Sequence, residues 1–159
     1  MSSLSFELSG PTPTAAAVAS PNQYVTFSCG SRVLAVDIMA VREIRSWSAL
    51  TELPDLPHGA RGVLDIRGKV VPVFDLAMLI GTPDVEGSPV IVVVSHGGND
   101  LGIMVSAVSD IIFAQPDQIR PAPNVRGRDS SVATLVKHED KLVSVLNLDA
   151  LFPDISGVN

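Results

Sequence analysis

Gly62-Val63-Leu64-Asp65-Ile66-Arg67-Gly68-Lys69-Val70-Val71-Pro72-Val73-Phe74-Asp75-Leu76-Ala77-Met78-Leu79-Ile80-Gly81 is the stretch whose reading decides the fold. Val63 to Ile66 and Val70 to Phe74 are rich in β-branched residues and bounded by turn formers, which predicts two strands. Arg67-Gly68-Lys69 closes them into a hairpin, with Gly68 free to take the positive φ of a tight turn. Pro72 donates no ladder hydrogen bond, so its strand is expected at a sheet edge or at a bulge. Asp75 is placed to cap a short helix whose Leu76, Leu79 and Ile80 share a face, and Gly81 to end it.

Outward from this unit, the same pattern returns. Leu142-Val143-Ser144-Val145-Leu146-Asn147-Leu148-Asp149-Ala150-Leu151-Phe152 tracks Val70 to Ile80 at an offset of 72. Each copy has an apolar strand, an Asp or Asn cap, Leu directly after it and Leu three residues later. Independently, Leu101 to Ile111 tracks Leu34 to Ile44 at an offset of 67, matching Leu34 with Leu101, Ala40 with Ala107, Val41 with Val108 and Ile44 with Ile111, and setting Glu43 against Asp110. Two matches in one order at nearly equal offsets imply an internal duplication. Each unit holds about five strands and is too small to be securely stable alone. Short twisted sheets hide their edges by closing into barrels.

The remaining chain fits an all-β reading. Residues 23–29 alternate, with Val25, Phe27 and Cys29 on one side; Gly30-Ser31-Arg32 turns the chain and Val33 to Val36 returns it. From Asp37 the period changes to three, through Ile38, Val41 and Ile44, which reads as a short helical turn or an irregular strand. Leu50 to Leu53 reads as a further strand, before a loop marked by Pro54, Pro57 and Gly59. Val90 to Val94 is a continuous apolar run, the signature of a strand buried on both faces. Leu101 to Val105 and Ile111 to Phe113 extend, Gln115 to Pro123 reads as non-helical, and Val132 to Val136 with Leu142 to Leu146 makes a last hairpin. The expected organisation is a mobile tail to about residue 21, a first barrel over about 22–82, a polar connector, a second barrel over about 89–153 with ends open to exchange between the two, and a tail over 154–159. Arg126 to Ser131 reads as polar and mobile.

Composition narrows the function. The net charge of −6 argues against nucleic acid, whose phosphates call for clustered Lys and Arg. Only 18% of the 159 residues are charged, yet no apolar run is long enough to span a bilayer. Cys29 stands alone, which excludes an internal disulfide and reads as a small core residue in a reducing compartment. Ala17-Val18-Ala19-Ser20 imitates a signal-peptidase site, but no basic region precedes it, and Glu7, Gly10, Pro11 and Pro13 break the apolar core it would need.

Nothing in the spacing points to catalysis. His58, His96 and His138 fall in three separate loops, and Gly97-Gly98 is not followed by the Lys and Ser or Thr of a phosphate loop. Asp37, Asp65, Asp75, Asp110 and Asp149 are scattered, two of them as helix caps. No catalytic residue, metal ligand or cofactor is assigned. Glu43 and Arg67 are the polar pair singled out, because a planar guanidinium can grip a carboxylate bidentately; the bland alternative is an ordinary surface ion pair.

At these residues the chain resembles the CheW family, the adaptors of bacterial chemotaxis. The resemblance rests on Val41-Arg42-Glu43-Ile44-Arg45, Gly62 to Gly68 with Val71 to Leu76, Gly102 to Val105 through Val108-Ser109-Asp110, and Ile119-Arg120-Pro121-Ala122-Pro123. It covers about Gln23 to Phe152. It implies two intertwined five-stranded Src-homology-3-type (SH3-like) barrels with short connecting helices, in keeping with the repeat. It further implies a non-enzymatic cytoplasmic scaffold linking the signalling tips of transmembrane chemoreceptors to a CheA-type histidine kinase, without nucleic acid or membrane insertion. Val41, Glu43, Gly62, Arg67, Val90, Gly102 and Ile111 fall on positions that the family links to receptor or kinase coupling, and Ile44 and Val105 join them as candidate interface residues, Val105 in the apolar lining of a groove between the barrels. For the two glycines backbone geometry is the competing account, and for Val41, Val90 and Ile111 core packing. Asp65 stands where the family usually has Asn, which changes the charge beside Arg67 and leaves that arginine's partner open. The strand around Thr134 is less Gly-rich than the family's. A receiver-bearing CheV-type adaptor is not expected, because the chain ends at Asn159. Other readings are an adaptor of a non-chemotaxis pathway, an inhibitory module, and a ligand-binding or enzymatic protein using the cleft between barrels.

Overall fold

The computed structural model describes residues 22–82, 89–123 and 132–152. The two tails, most of the connector and the Arg126–Ser131 segment lie outside them.

The chain folds as strands β1 (Asn22–Cys29), β2 (Arg32–Asp37), β3 (Val41–Ser46), β4 (Ala60–Ile66), β5 (Lys69–Asp75), β6 (Val90–His96), β7 (Asn99–Val105), β8 (Ala107–Ala114), β9 (Ile119–Pro121), β10 (Val132–His138) and β11 (Lys141–Leu146). Two short helices, α1 (Leu76–Ile80) and α2 (Leu148–Leu151), follow β5 and β11. The strands form a six-stranded sheet ordered β8-β1-β2-β11-β10-β9 and a five-stranded sheet ordered β3-β6-β7-β5-β4. These are termed the outer and middle barrels.

The barrels do not divide where the connector divides the chain. Hairpin β1–β2 sits among the strands of the second half, and hairpin β6–β7 among those of the first. Each half thus lends two strands to the other's sheet. The strand number also differs from five and five, because β9 pairs with β10 at Thr134, Leu135 and Val136. In the middle barrel that place is held by a single bridge, Thr51 to Val63, where the sequence suggested a strand over Leu50 to Leu53.

The duplication is written into the register. Hairpins hand over to the other half through two parallel pairings, β5 with β7 and β11 with β2. Val73 faces Gly102 in one and Val145 faces Ala35 in the other, which reproduces both sequence offsets at a single contact. The bulges repeat too. The β4–β5 ladder shifts between Ala60 and Gly62 and the β10–β11 ladder between Val132 and Thr134. The β3–β6 ladder shifts between Val41 and Glu43, and in the β1–β8 ladder Val108 and Asp110 flank the same shift.

Local chemistry explains the elements. In the first hairpin Arg67 (φ 53°) and Gly68 (φ 85°) both take positive φ, the backbone of a two-residue turn that follows strand twist. The Gly68 N–H donates to Asp65 Oδ1 at 2.8 Å and fixes the turn. Asp75 caps α1 by accepting from the Ala77 N–H at 3.0 Å, and Gly81 ends it at φ 74°. Asn147 caps α2 in the same way, accepting from the Ala150 N–H at 3.2 Å.

Two expectations change. Pro72 is not at an edge: β5 lies between β7 and β4. Pro72 opposes Val63, whose N–H and carbonyl are both bonded to Thr51 on the far side of β4. That pair is therefore a non-hydrogen-bonded one, and the pairing with β7 begins only at Val73. The missing N–H leaves no gap in the ladder. Gln115 to Pro123 is not wholly non-helical: Pro116–Gln118 forms one 3₁₀ turn, with Pro at its first position and the Gln115 N–H donating to Gln118 Oε1 at 2.8 Å. The period-three reading after Asp37 resolves into a 3₁₀ turn (Ile38–Ala40) followed by the bulged strand β3.

Among the described residues, three apolar clusters hold the fold together. Tyr24, Ala35, Ile112, Val136, Val143 and Val145 fill the outer barrel, and Leu64, Ile66, Val71, Val73, Ile91 and Val93 the middle one. The third lies between the barrels and draws on both, from Val25, Phe27, Cys29, Leu34 and Val36 to Val92, Val94, Leu101, Ile103, Phe74 and Phe152. This explains the continuous apolar run of β6: Ile91 and Val93 enter their own barrel while Val92 and Val94 enter the shared core.

Candidate functional site

Strand β3 is where the shared core reaches the surface. Residues opposite one another on antiparallel strands point to the same face. Ile44 opposes Val92 and so lies on the shared-core side, yet it is 47% exposed. Val41 is partly buried against the same core. Val90, opposite Ser46 on one side and Val105 on the other, is also partly buried, and Val105 is fully so. The seam is thus a half-exposed apolar strip, lined by Val41, Ile44 and Val90 and underlain by Val105.

The other face of β3 carries charge. Glu43 and Arg45 oppose Val93 and Ile91, so both point to the mouth of the middle barrel. Glu43 uses both carboxylate oxygens: Oε2 accepts from Arg45 Nη1 at 2.8 Å and Oε1 from Arg67 Nη2 at 2.5 Å. Arg67 reaches it from the β4–β5 turn, so the pair links the first strand of the sheet to the turn of its last hairpin. The Arg45 and Arg67 guanidiniums, in that order, hold the Glu43 carboxyl below its ordinary 4.5. Asp65, the competing acid, serves the turn instead. Beside this triad Asp100 meets Arg42 at 3.4 Å and Lys69 at 3.9 Å, which extends the charged rim.

The other residues singled out stand elsewhere. A Cβ on Gly62 would lie 2.7 Å from the Thr51 carbonyl oxygen and 2.9 Å from Leu50 Cβ. A Cβ on Gly102 would lie 2.9 Å from Ile91 Cγ2 and 3.1 Å from Val73 Cγ2. Both positions therefore demand close approach. Ile111, 49% exposed, occupies on β8 the place that Ile44 occupies on β3, with Phe113 beside it on the same face and 57% exposed. Sequence reasoning missed Arg45. The signal was present, since Arg45 lies two residues from Glu43 and a strand puts both on one face; reading the segment at a period of three concealed it.

Among the described residues no group of three or more His, Cys, Asp or Glu is gathered as a metal site. No helix among them is long and apolar enough to cross a membrane.

The comparisons with known proteins agree with this architecture. The CheW-like domain family matches residues 23–156. The chemotaxis protein CheW of Rhizobium meliloti (strain 1021) is 32% identical over 135 residues, spanning 82% of this chain and 87% of the relative. The chemotaxis protein CheW of Bacillus subtilis (strain 168) is 25% identical over 80% of this chain and 84% of its own length. The crystal structure of the scaffolding protein TtCheW from Thermoanaerobacter tengcongensis superimposes with a TM-score of 0.77 at 29% identity, covering 86% of this chain and 95% of that one. With the duplicated barrels, the shared bulges and these matches in hand, the chain belongs to the CheW-like domain family.

Proposed function

We propose that this chain is a non-enzymatic adaptor that couples chemoreceptors to a CheA-type histidine kinase in chemotaxis signalling. The observation that carries the reading is the seam on β3. A half-exposed apolar strip, bordered by a fixed charge cluster, has the composition of a protein-docking surface. It lies on a fold shared along most of its length with a CheW scaffolding protein.

In this reading the strip of Val41, Ile44 and Val90 takes the apolar face of the receptor's helical tip as a helix in a groove. Gly62 and Gly102 act indirectly, by letting the middle barrel pack tightly behind it. The barrel ends meet the kinase's own barrels, and many small contacts of this kind hold an array together through avidity. The protein works in the cytoplasm, recruited to the membrane by its receptors. The state of Glu43 accords with binding, since two guanidiniums keep it ionised and away from proton transfer near neutral pH.

The test is a pull-down with the purified chain as bait and a chemoreceptor signalling tip or a CheA-type kinase as prey. Retention of either supports the proposal; loss of both overturns it.

A further inference from the structure

We infer that Arg45 is a positioning residue, which through Glu43 aims the guanidinium of Arg67 at a carboxylate on the docking partner. The inference rests on the adaptor reading for its partner, but not for its geometry.

Three observations carry it. First, the triad is not required to build a barrel. In the outer barrel the positions of Glu43, Arg45 and Arg67 are held by Asp110, Ile112 and Glu139. Ile112, the twin of Arg45, is 4% exposed within the apolar core. The same fold therefore closes with a plain aliphatic side chain there.

Second, Arg45 carries a cost that its twin avoids. Its Nε is enclosed and has no hydrogen-bond partner among the described residues. A buried donor left unpaired is unfavourable, so a purely structural site would favour the isoleucine. What Arg45 provides instead is its Nη1 bond to Glu43.

Third, Arg67 is presented rather than consumed. Its backbone is fixed in the tight turn, and its side chain is 74% exposed. Among the described residues only Nη2 is engaged, by Glu43, while Nη1 and Nε make no hydrogen bond. Nη2 carries a second hydrogen, so a guanidinium held through one of them keeps a bidentate edge, that hydrogen with Nη1 or with Nε, free for a carboxylate. Without Arg45, Glu43 is released from one side and can follow Arg67 instead of fixing it. The class of ligand follows: an Asp or Glu side chain on the partner, set beside the apolar residues that fill the β3 seam.

The experiment compares the full chain with Arg45→Ile, which copies the twin barrel, Arg45→Lys and Arg67→Ala. The first measurement is solution NMR of the arginine Nε–Hε groups, which needs no partner. The Arg67 signal is expected resolved and slowly exchanging in the parent and in Arg45→Lys, but merged with free arginine in Arg45→Ile. The melting temperature of Arg45→Ile should equal or exceed the parent's. The second is binding to a chemoreceptor signalling tip as a function of salt. Arg45→Ile and Arg67→Ala should weaken it alike, by roughly three- to tenfold, the effect of about one charge-assisted contact. Both should flatten its salt dependence, and Arg45→Lys should recover part of the loss. An Arg67 signal unchanged in Arg45→Ile overturns the inference, as does a loss confined to Arg67→Ala. If the parent itself fails to bind tip and kinase, the adaptor reading falls and the NMR comparison alone decides the role of Arg45.

Discussion

The middle and outer barrels share strand order, both bulges, the parallel handover and the helix cap, but differ at the residues that fill those places. Val73 opposite Gly102 is matched by Val145 opposite Ala35. The cap Asp75 is matched by Asn147, and Ile80 by Phe152. The charged triad of Glu43 and Arg45 on β3 with Arg67 in the β4–β5 turn is matched by Asp110, Ile112 and Glu139. What the copies share is what the fold needs, namely bends, caps and register. Where they differ, one copy has been fitted to the seam between barrels or to something outside the molecule. Substitutions that make one copy resemble the other therefore separate the two kinds of residue.

The largest effect is expected at the seam. The Phe152 ring lies 4.8 Å from that of Phe74 and is 2% exposed, whereas its twin Ile80 is only partly buried. Phe152→Ala should cost about 3–5 kcal/mol, the range for emptying a buried aromatic site, and Ile80→Ala clearly less. Urea denaturation measures both. Equal losses would mean that the shared core treats its two ends alike and that the aromatic pair is incidental.

Next is the interior of the middle barrel. Gly102→Ala forces a methyl against Ile91 and Val73 and should cost about 1–3 kcal/mol through overpacking. Ala35→Gly, the reverse change in the outer barrel, should cost about 1–2 kcal/mol, through backbone entropy together with the loss of a buried methyl. A silent Gly102→Ala would show that the middle barrel has room to spare and that close packing does not account for the glycine.

How much of this was legible in sequence follows from the same comparison. The duplication, the hairpin at Gly68, both caps and the doubly buried β6 were readable, because each rests on neighbours in the chain. The exchange of hairpins was left open by the residues themselves and implied only by the family resemblance, since an apolar strand carries no mark of which sheet it will join. Pro72 was misplaced for a related reason: its tolerance inside the sheet depends on Thr51 taking both backbone groups of Val63, and no local pattern records that bond. At the site, Glu43 and Arg67 were found by their chemistry. Arg45 was lost to a wrong period, and its enclosed Nε is visible only in three dimensions.

The helix caps give a smaller test. Asp75 is 3% exposed, caps Ala77, and also accepts from Arg61 Nη1 at 2.8 Å. Asp75→Ala should cost about 0.5–2 kcal/mol for the lost cap, and Asp75→Asn less, because Asn147 already caps the twin helix. Thermal melts of the two variants rank them. If Asp75→Asn proves as damaging as Asp75→Ala, the Arg61 contact outweighs the cap, and the two helix starts are not equivalent.

The smallest effect is the pH dependence of the triad, and its sign is fixed by the direction in which Glu43 is shifted. Unfolded, Glu43 titrates near 4.5; folded, the two guanidiniums hold it lower. Between those values the unfolded chain binds more protons than the folded one, so folding stability falls as the pH drops through that interval. The contribution is fully present above 4.5 and lost as the pH passes below the folded value. Glu43→Gln removes the titration. Its melting temperature should lie slightly below the parent's at pH 7, and the gap should close as the medium is acidified past the folded value. Other carboxylates protonate in the same range, so the quantity to follow is the difference between the two proteins rather than either curve. The absence of a gap at every pH would mean that the triad stabilises the barrel by packing its stems, which Glu43→Gln preserves, and not by charge. The Arg45–Glu43–Arg67 link would then differ from its counterpart in the outer barrel, Asp110, Ile112 and Glu139, in composition only.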